Sequence, residues 1–469
     1  MNPRRDEPGD DGWDSAELER AGVLARELRA LGGADSRIVA VRAPGRVNLI
    51  GEHTDYSGLP VLPAAIDRST IIVAATSSAH EIVVRNRVPA FASRRFQVEK
   101  AIPAYRAGDW ANYVKAGVQG VIDHFGSRGV SEAKLRGATM IVDGRVPVAA
   151  GLSSSSALTV AAALAFMTLN RLELGPLECA AMVARSEWYV GTRGGGMDQA
   201  PSLMGRRDHA LFIEFNPLRV RAIKMPSGAA LVVADSCEIA DKSGGVRTEY
   251  NRRVVECSLA ARIIARQMKL DGVRTLGGVV SAIANWRAAD LIAILEAAAP
   301  PRLAPDLADA AHILGVARDA LADDLLGGGA PGIKLDPSAP LEILRRARHV
   351  LSETERVIRA AAILEAGELD AMGALMDASH ASLAGDFDCS TPRLDRIVAA
   401  ARKGGALGAR LTGAGFGGSI VALSRAADVE RIFASIDREY YAPLGIEPGG
   451  KRAVLHPGAG ASTIEIAAA

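Results

Sequence analysis

PVAAGLSSSSALTVAAALAF, residues 147–166, runs from a proline and a glycine through four consecutive serines into an unbroken apolar stretch. Pro147 through Gly151 cannot continue a helix, and Ser153 to Ser156 stand where one should begin. A single serine there would be an ordinary N-cap on a buried helix. Four serines after a glycine turn suit another task. Small residues let backbone N–H groups close on an anion, and the helix N-terminus adds positive potential at the same point. Serine hydroxyls also offer oxygen to a magnesium ion. The stretch reads as a phosphate-binding loop opening a helix that runs to about residue 170, although no GxxxxGK[ST] sequence occurs.

Upstream, GRVNLIGEHTDYSG (45–58) gathers Arg46, Glu52, His53 and Asp55 around the apolar run VNLI. A strand buried in the core holds the charges at its end in fixed positions. Downstream, GTRGGGMDQAP (191–201) sets Asp198 behind three glycines, where the backbone can bring a carboxylate close to a substrate. A turn or N-cap aspartate is the plain alternative. DKSGGVRTEYNRRVVEC (241–257) contributes Lys242 and Tyr250, which alone are most simply surface residues. LTGAGFGG (411–418) is a second glycine loop, between a helix and a strand, and a tight turn needs glycine on steric grounds alone.

Composition narrows the class. The chain has 469 residues, 49% of them hydrophobic, enough for two domains with packed cores. Lys and Arg number 55 against 54 Asp and Glu, so no bulk charge draws it to nucleic acid or an anionic membrane. The four cysteines form no CxxC pair, which argues against zinc or a disulfide framework and fits a reducing cytoplasm. The longest apolar run, ALTVAAALAFMTL (157–169), is too short to span a bilayer, and the charged start has no apolar h-region.

Along the chain, 1–14 reads as a disordered tail and 15–32 as a helix stopped by GG. IVAVRAP and TIIVAAT read as strands, as do 208–215 and 229–236. Helices are expected at 176–190, at 249–268 and across 341–361, where Leu344, Ala347, Leu351, Thr354 and Ile358 would share one face. The Ala-, Pro- and Gly-rich segment 298–340 reads as a flexible excursion. Interspersed strands and helices give a mixed α/β or α+β class, with two lobes, 15–225 and 226–469, meeting near 220–240.

These segments together resemble the galactokinase branch of the GHMP sugar and metabolite kinases. GRVNLIGEHTDYSG is similar to its sugar signature, PVAAGLSSSSAL to its nucleotide loop and LTGAGFGG to its C-terminal glycine motif, with WANYVKAGV (110–118), GGGMDQ, EYNRRVVEC and RARHVLSE in support. The resemblance covers nearly everything from about residue 38. It implies an α+β, two-lobed fold with ATP and sugar meeting in the cleft, and phosphoryl transfer to the C1 hydroxyl of a hexose. It implies Asp198 as the base and Arg46 as its partner. The sugar would contact Arg46, Glu52, His53, Asp55, Gly195, Asp198 and Tyr250, and the nucleotide Gly151, Ser153, Ser154, Ser155 and Lys242. Mg²⁺ would sit on Ser155 and, because Ser186 occupies the position where many galactokinases carry a metal-binding glutamate, on the neighbouring Glu187. Galactose is the expected substrate of a cytoplasmic monomer. An N-acetylgalactosamine 1-kinase, a 1-kinase for another sugar such as arabinose or a uronic acid, and a non-catalytic galactose sensor are the rivals.

Overall fold

The computed structural model describes residues 12–33, 37–148, 150–191, 194–238, 245–298, 306–326, 336 and 339–466. Its strands are β1 (Ile38–Ile50), β2 (Leu62–Ser77), β3 (Glu81–Asn86), β4 (Arg94–Gln97), β5 (Gly137–Gly144), β6 (His209–Phe215), β7 (Leu218–Lys224), β8 (Ala229–Asp235), β9 (Gly408–Thr412), β10 (Ser419–Arg425), β11 (Arg452–Leu455) and β12 (Ser462–Ile466).

A six-stranded sheet has the order β12-β1-β2-β5-β3-β4, antiparallel except where β3 meets β5. Strand β1 is buried along its whole length. Its alternate residues serve opposite faces, as the two-residue period of a strand requires. Val39, Val41 and Ala43 pack with residues of the helices Ala111–Gly126, Ser154–Leu169 and Pro176–Ser186. Ile38 and Ala40 meet the helix Ser15–Leu28. The pairing of β1 with β2 shifts register between Pro44 and Arg46, and a bulge is where a strand tolerates proline and re-aims its side chains. Beyond it Val47, Leu49 and Ile50 enter a different core, shared with the helix Ile343–Ala366 and the second sheet.

That second sheet has the order β11-β8-β10-β9, with β6 and β7 forming a separate hairpin. Val232, Ala234, Ile420 and Ala422 face a core that includes the helices Gly245–Gln267 and Pro392–Lys403. Leu231, Val233, Val421 and Leu423 face the core that β1 enters. Strand β12 returns from the end of the chain to the edge of the first sheet, against β1. Among the described residues, no helix is long and apolar enough to cross a membrane.

Several expectations change. Residues 12–14 are not tail: Trp13 is buried, and Asp14 caps the first helix by accepting from the Glu17 N–H at 2.7 Å. Within 298–340, Leu307–Leu314 and Arg318–Leu326 are helices whose buried Leu307, Leu314, Leu321 and Leu325 join a core, while 299–305, 327–335 and 337–338 lie outside the described residues. The helix expected at 176–190 ends at Ser186, and a 3₁₀ turn carries Glu187–Val190. In Ile343–Ala366 the buried face runs through Ala347, Leu351 and Thr354 but reaches Val357, leaving Ile358 46% exposed. A spacing that averages 3.5 residues drifts by about 20° per heptad against the true 3.6, which moves the fifth position off the face.

That drift is measurable. Leu351→Ala should cost about 2–5 kcal/mol in urea unfolding, and Ile358→Ala should stay within about 0.5 kcal/mol. Equal losses at both positions would contradict the assigned face.

Candidate active site

Strand β1 ends at a loop whose every turn is tied to something else. The Gly51 N–H donates to the Glu353 carboxylate at 2.9 Å, and the Glu52 carbonyl lies 3.1 Å from Nε2 of His349. Thr54 Oγ1 closes the loop on the carbonyls of Gly51 and Pro60. Glu52 does not line the cleft as expected. Its carboxylate lies behind the wall, ion-paired with Arg410 on β9, accepting from Asn48 Nδ2 at 2.7 Å and from the Gly413 N–H at 3.0 Å. Both side chains of the Glu52–Arg410 pair are essentially without exposure.

His53 has φ 65° and stacks on Phe387 with ring centroids 4.3 Å apart. Its Nε2 faces the Ala414 carbonyl at 3.1 Å, and a carbonyl can only accept, so Nε2 carries the proton. Nδ1 then accepts from the Tyr56 hydroxyl at 3.2 Å. Burial pushes the ring well below its ordinary pKa, which keeps this neutral tautomer. With both nitrogens engaged, His53 presents a flat wall to the cleft rather than a hydrogen-bonding edge. The Tyr250 ring stands 5.6 Å from His53, and burial raises its phenol, so it stays a hydroxyl donor.

Asp55 organises the glycine-flanked segment. Its Oδ2 accepts from the N–H of Gly195 at 2.9 Å and of Met197 at 3.3 Å. Burial, and then the neighbouring Asp198 charge, push its carboxyl upward. Gly195 must be glycine, because a Cβ there would stand 2.2 Å from the Asp55 carbonyl carbon. This packing delivers Asp198 opposite Arg46. Nη2 of Arg46 meets Asp198 Oδ1 at 2.5 Å, and Nη1 donates to the Gly151 carbonyl at 2.5 Å. The Ser156 hydroxyl lies 3.4 Å from Asp198 Oδ2, with Gln199 Nε2 a further 3.4 Å behind it. Arg46 is buried, whereas Asp198 keeps 28% exposure toward the cleft.

The serine loop forms the opposite wall. Ser153 takes φ 56° at the N-cap of Ser154–Leu169, yet its side chain makes no capping bond. Its buried hydroxyl has no protein partner, which an ordinary N-cap would have. Gly151 rests on the second glycine loop: a Cβ on Gly151 would lie 2.5 Å from the Thr412 carbonyl oxygen, and one on Gly413 would lie 3.0 Å from that of Gly151. The two glycine loops therefore touch backbone to backbone. Burial raises the Tyr113 phenol to about 12, and the neighbouring Glu187 charge pushes it the same way. Glu187 is buried and lines the cleft, whereas Lys242 lies outside the described residues. Arg46, His53, Asp55, Gly151, Ser153, Glu187, Asp198 and Tyr250 thus border one cavity. A larger one, about 670 Å³, lies on the other side of Gly194–Gly196. Of its guanidinium groups, Arg262 and Arg274 share Asp324, and neither Arg46, Asp198 nor the serine loop lines it.

Sequence reasoning missed Arg410, Glu353, His349 and Phe387, which hold the site from behind. It quoted Tyr113 and Arg247 within longer segments but gave them no role.

Two glycine loops in contact, one of them opening a buried helix beside a carboxylate–guanidinium pair, define a GHMP kinase. Family models agree: GHMP kinases N terminal domain over residues 112–206, GHMP kinases C terminal over 360–442, and the galactokinase galactose-binding signature over 29–76. The chain belongs to the galactokinase family. A galactokinase of Dictyostelium discoideum is 33% identical over 438 residues, covering 87% of this chain and 85% of the relative. One of Roseiflexus sp. (strain RS-1) is 36% identical over 409 residues, covering 87% and 88%. The crystal structure of Lactococcus lactis galactokinase complexed with galactose superposes with a TM-score of 0.73 at 25% identity, covering 94% of this chain and 98% of that one. Methanococcus jannaschii mevalonate kinase shares the fold at a TM-score of 0.53 and 20% identity.

The buried charges behind the site make stability pH-dependent. Burial pushes His349 down to about 4 and lowers His53 in the same direction. Both histidines take up a proton on unfolding below about pH 6.5, so stability falls as pH drops from there toward 4. Burial opposes ionisation of Glu353, but Arg356 and Arg410 with the Ser379 hydroxyl outweigh it and hold the carboxyl at about 2. Its contribution is complete above about pH 4.5 and is lost as pH falls toward 2. Thermal melts should show both stages. Glu353→Gln should remove the second and cost about 3–5 kcal/mol near neutral pH. A Glu353→Gln variant as stable as wild type at pH 7 would contradict the clamp.

Proposed function

We propose that this chain transfers the γ-phosphoryl group of ATP to the C1 hydroxyl of D-galactose, giving α-D-galactose 1-phosphate and ADP. The observation that carries the proposal is the Arg46–Asp198 pair, set between the serine loop and Tyr250 with Asp198 still accessible from the cleft. Relatives named galactokinase and the neighbour complexed with galactose support the choice of sugar. Asp198 takes the C1 hydroxyl proton as that oxygen attacks the γ-phosphorus and ADP departs. Arg46 holds Asp198 ionised and offsets charge on the transferring group. Gly151, Ser153, Ser154 and Ser155 receive phosphate oxygens, and Lys242, outside the described residues, is assigned to the nucleotide on the resemblance alone. Asp55, Gly195, His53 and Tyr250 shape the sugar side, while Glu52 acts by fixing the loop they share.

Mg²⁺ fits the donor set. It binds through one or two carboxylates completed by substrate phosphates, and Glu187, a buried carboxylate lining the cleft, would supply hard oxygen donors together with the Ser155 hydroxyl. When bound, the ion neutralises phosphate charge. The near balance of charges supports small-molecule partners rather than nucleic acid or an anionic membrane, the cysteine pattern supports a reducing cytoplasm, and we take the chain to act as a monomer.

Asp198→Asn preserves size but cannot accept a proton, so turnover should fall about 10²–10⁴-fold with ATP binding intact. Retention of more than about a tenth of wild-type turnover would reduce Asp198 to a positioning residue, given that range. Ser154→Leu should weaken MgATP binding by calorimetry without changing galactose affinity. Across a sugar panel, galactose should show the highest kcat/KM, because Tyr250 closes the pocket beside the sugar. Equal efficiency on N-acetylgalactosamine would move the assignment to that sugar.

A further inference from the structure

Arg247 occupies the first turn of the helix Gly245–Gln267, which contains no acidic residue. A cation there opposes the helix dipole, at a cost of about 0.3–1 kcal/mol. Such a local violation is expected where a ligand compensates it. The side chain lines the same cleft as Asp198, Ser153 and Gly151. Its Nε is buried without a partner, and its hydrogen bond among the described residues is a long one, 3.4 Å from Nη1 to the Val190 carbonyl. Arg46, which lines the same cleft, also has a buried Nε without a partner, but both its Nη atoms are committed to Asp198 and the Gly151 carbonyl. Arg247 and Glu187 line this cleft together with Ser153.

We propose that Arg247 is a second nucleotide-positioning residue, closing on the anionic oxygens of the ATP polyphosphate from a helix outside the serine loop. A guanidinium suits this because its planar fork binds phosphate through two parallel N–H donors. Its charge offsets that of Glu187 beside the incoming phosphates. This rests on the assignment of the serine loop to phosphate and adds to it a residue that the loop motif does not contain.

Calorimetry on full-length Arg247→Ala, Arg247→Lys and Ser154→Leu, each checked by thermal melt, tests it with ATP, ADP and adenosine as probes. Arg247→Ala should weaken ATP and ADP at least about tenfold, as loss of a charge-assisted hydrogen bond implies. Adenosine and galactose affinities should stay within about twofold, and Arg247→Lys should recover part of the loss because it keeps the charge without the fork. ATP affinity unchanged in Arg247→Ala, or adenosine falling in parallel with ATP, would overturn the proposal. If Ser154→Leu weakens ATP and Arg247→Ala does not, the arginine assignment alone fails. If neither does, the phosphate loop itself is misplaced. A loss at Arg247 without one at Ser154 upholds the arginine and overturns the loop.

Discussion

The ion pair between Glu52 and Arg410 is the constraint on which the site depends. Both groups are withdrawn from water, and such burial costs several kcal/mol per ion before any attraction is counted. Here the remaining capacity of the carboxylate is taken up by Asn48 and the Gly413 N–H, and Glu353 approaches the same guanidinium at 3.9 Å. The pair joins the end of β1, in the first half of the chain, to β9 in the second. Because Asp55 follows three residues later and positions the glycine segment that carries Asp198, the geometry of the proposed base traces back to this contact. The sugar signature is therefore as much a joint between lobes as a list of ligands.

The glycine loops make a second joint, built from backbone alone. Where Gly151 meets Thr412 and Gly413, any side chain would force the strands of one lobe away from the helix of the other. Arg46 spans the same seam, bonding to the Gly151 carbonyl with one nitrogen and to Asp198 with another. The serine loop, Asp198 and the contact between the two glycine loops are thus held by one short set of atoms. Positioning on that scale is what phosphoryl transfer requires, since most of its catalysis is geometry and charge placement.

Features whose causes are local were legible in the sequence. The serine run, the glycine triplet before Asp198 and the apolar VNLI each state a backbone requirement within a few residues. Strand β1 was legible too, except that two short apolar runs merged into one strand through a bulge at Pro44. What stayed hidden depends on partners distant in the chain. Glu353 reaches Gly51 across 302 positions, and nothing near Glu353 marks it as anything but a helix-surface charge. Glu52 misled for the same reason: a carboxylate beside a binding motif looks like a ligand until its buried arginine is known. Trp13 and the leucines of 307–325 sit in stretches whose Gly, Pro and charge content signals a loop, yet each finds a core to enter.

Strand β12 is the last element of the described chain, and it covers the edge of β1. On the ribosome, the edge of β1 therefore stays open until residues 462–466 have been made. Throughout synthesis, β1 offers unpaired backbone groups along a strand of mostly apolar residues, the type of edge that recruits foreign strands. The interval between making β1 and making β12 is thus the period of greatest exposure to chaperones and to aggregation. Removal of residues 462–466 would leave that edge open indefinitely, far from any residue that borders the cleft.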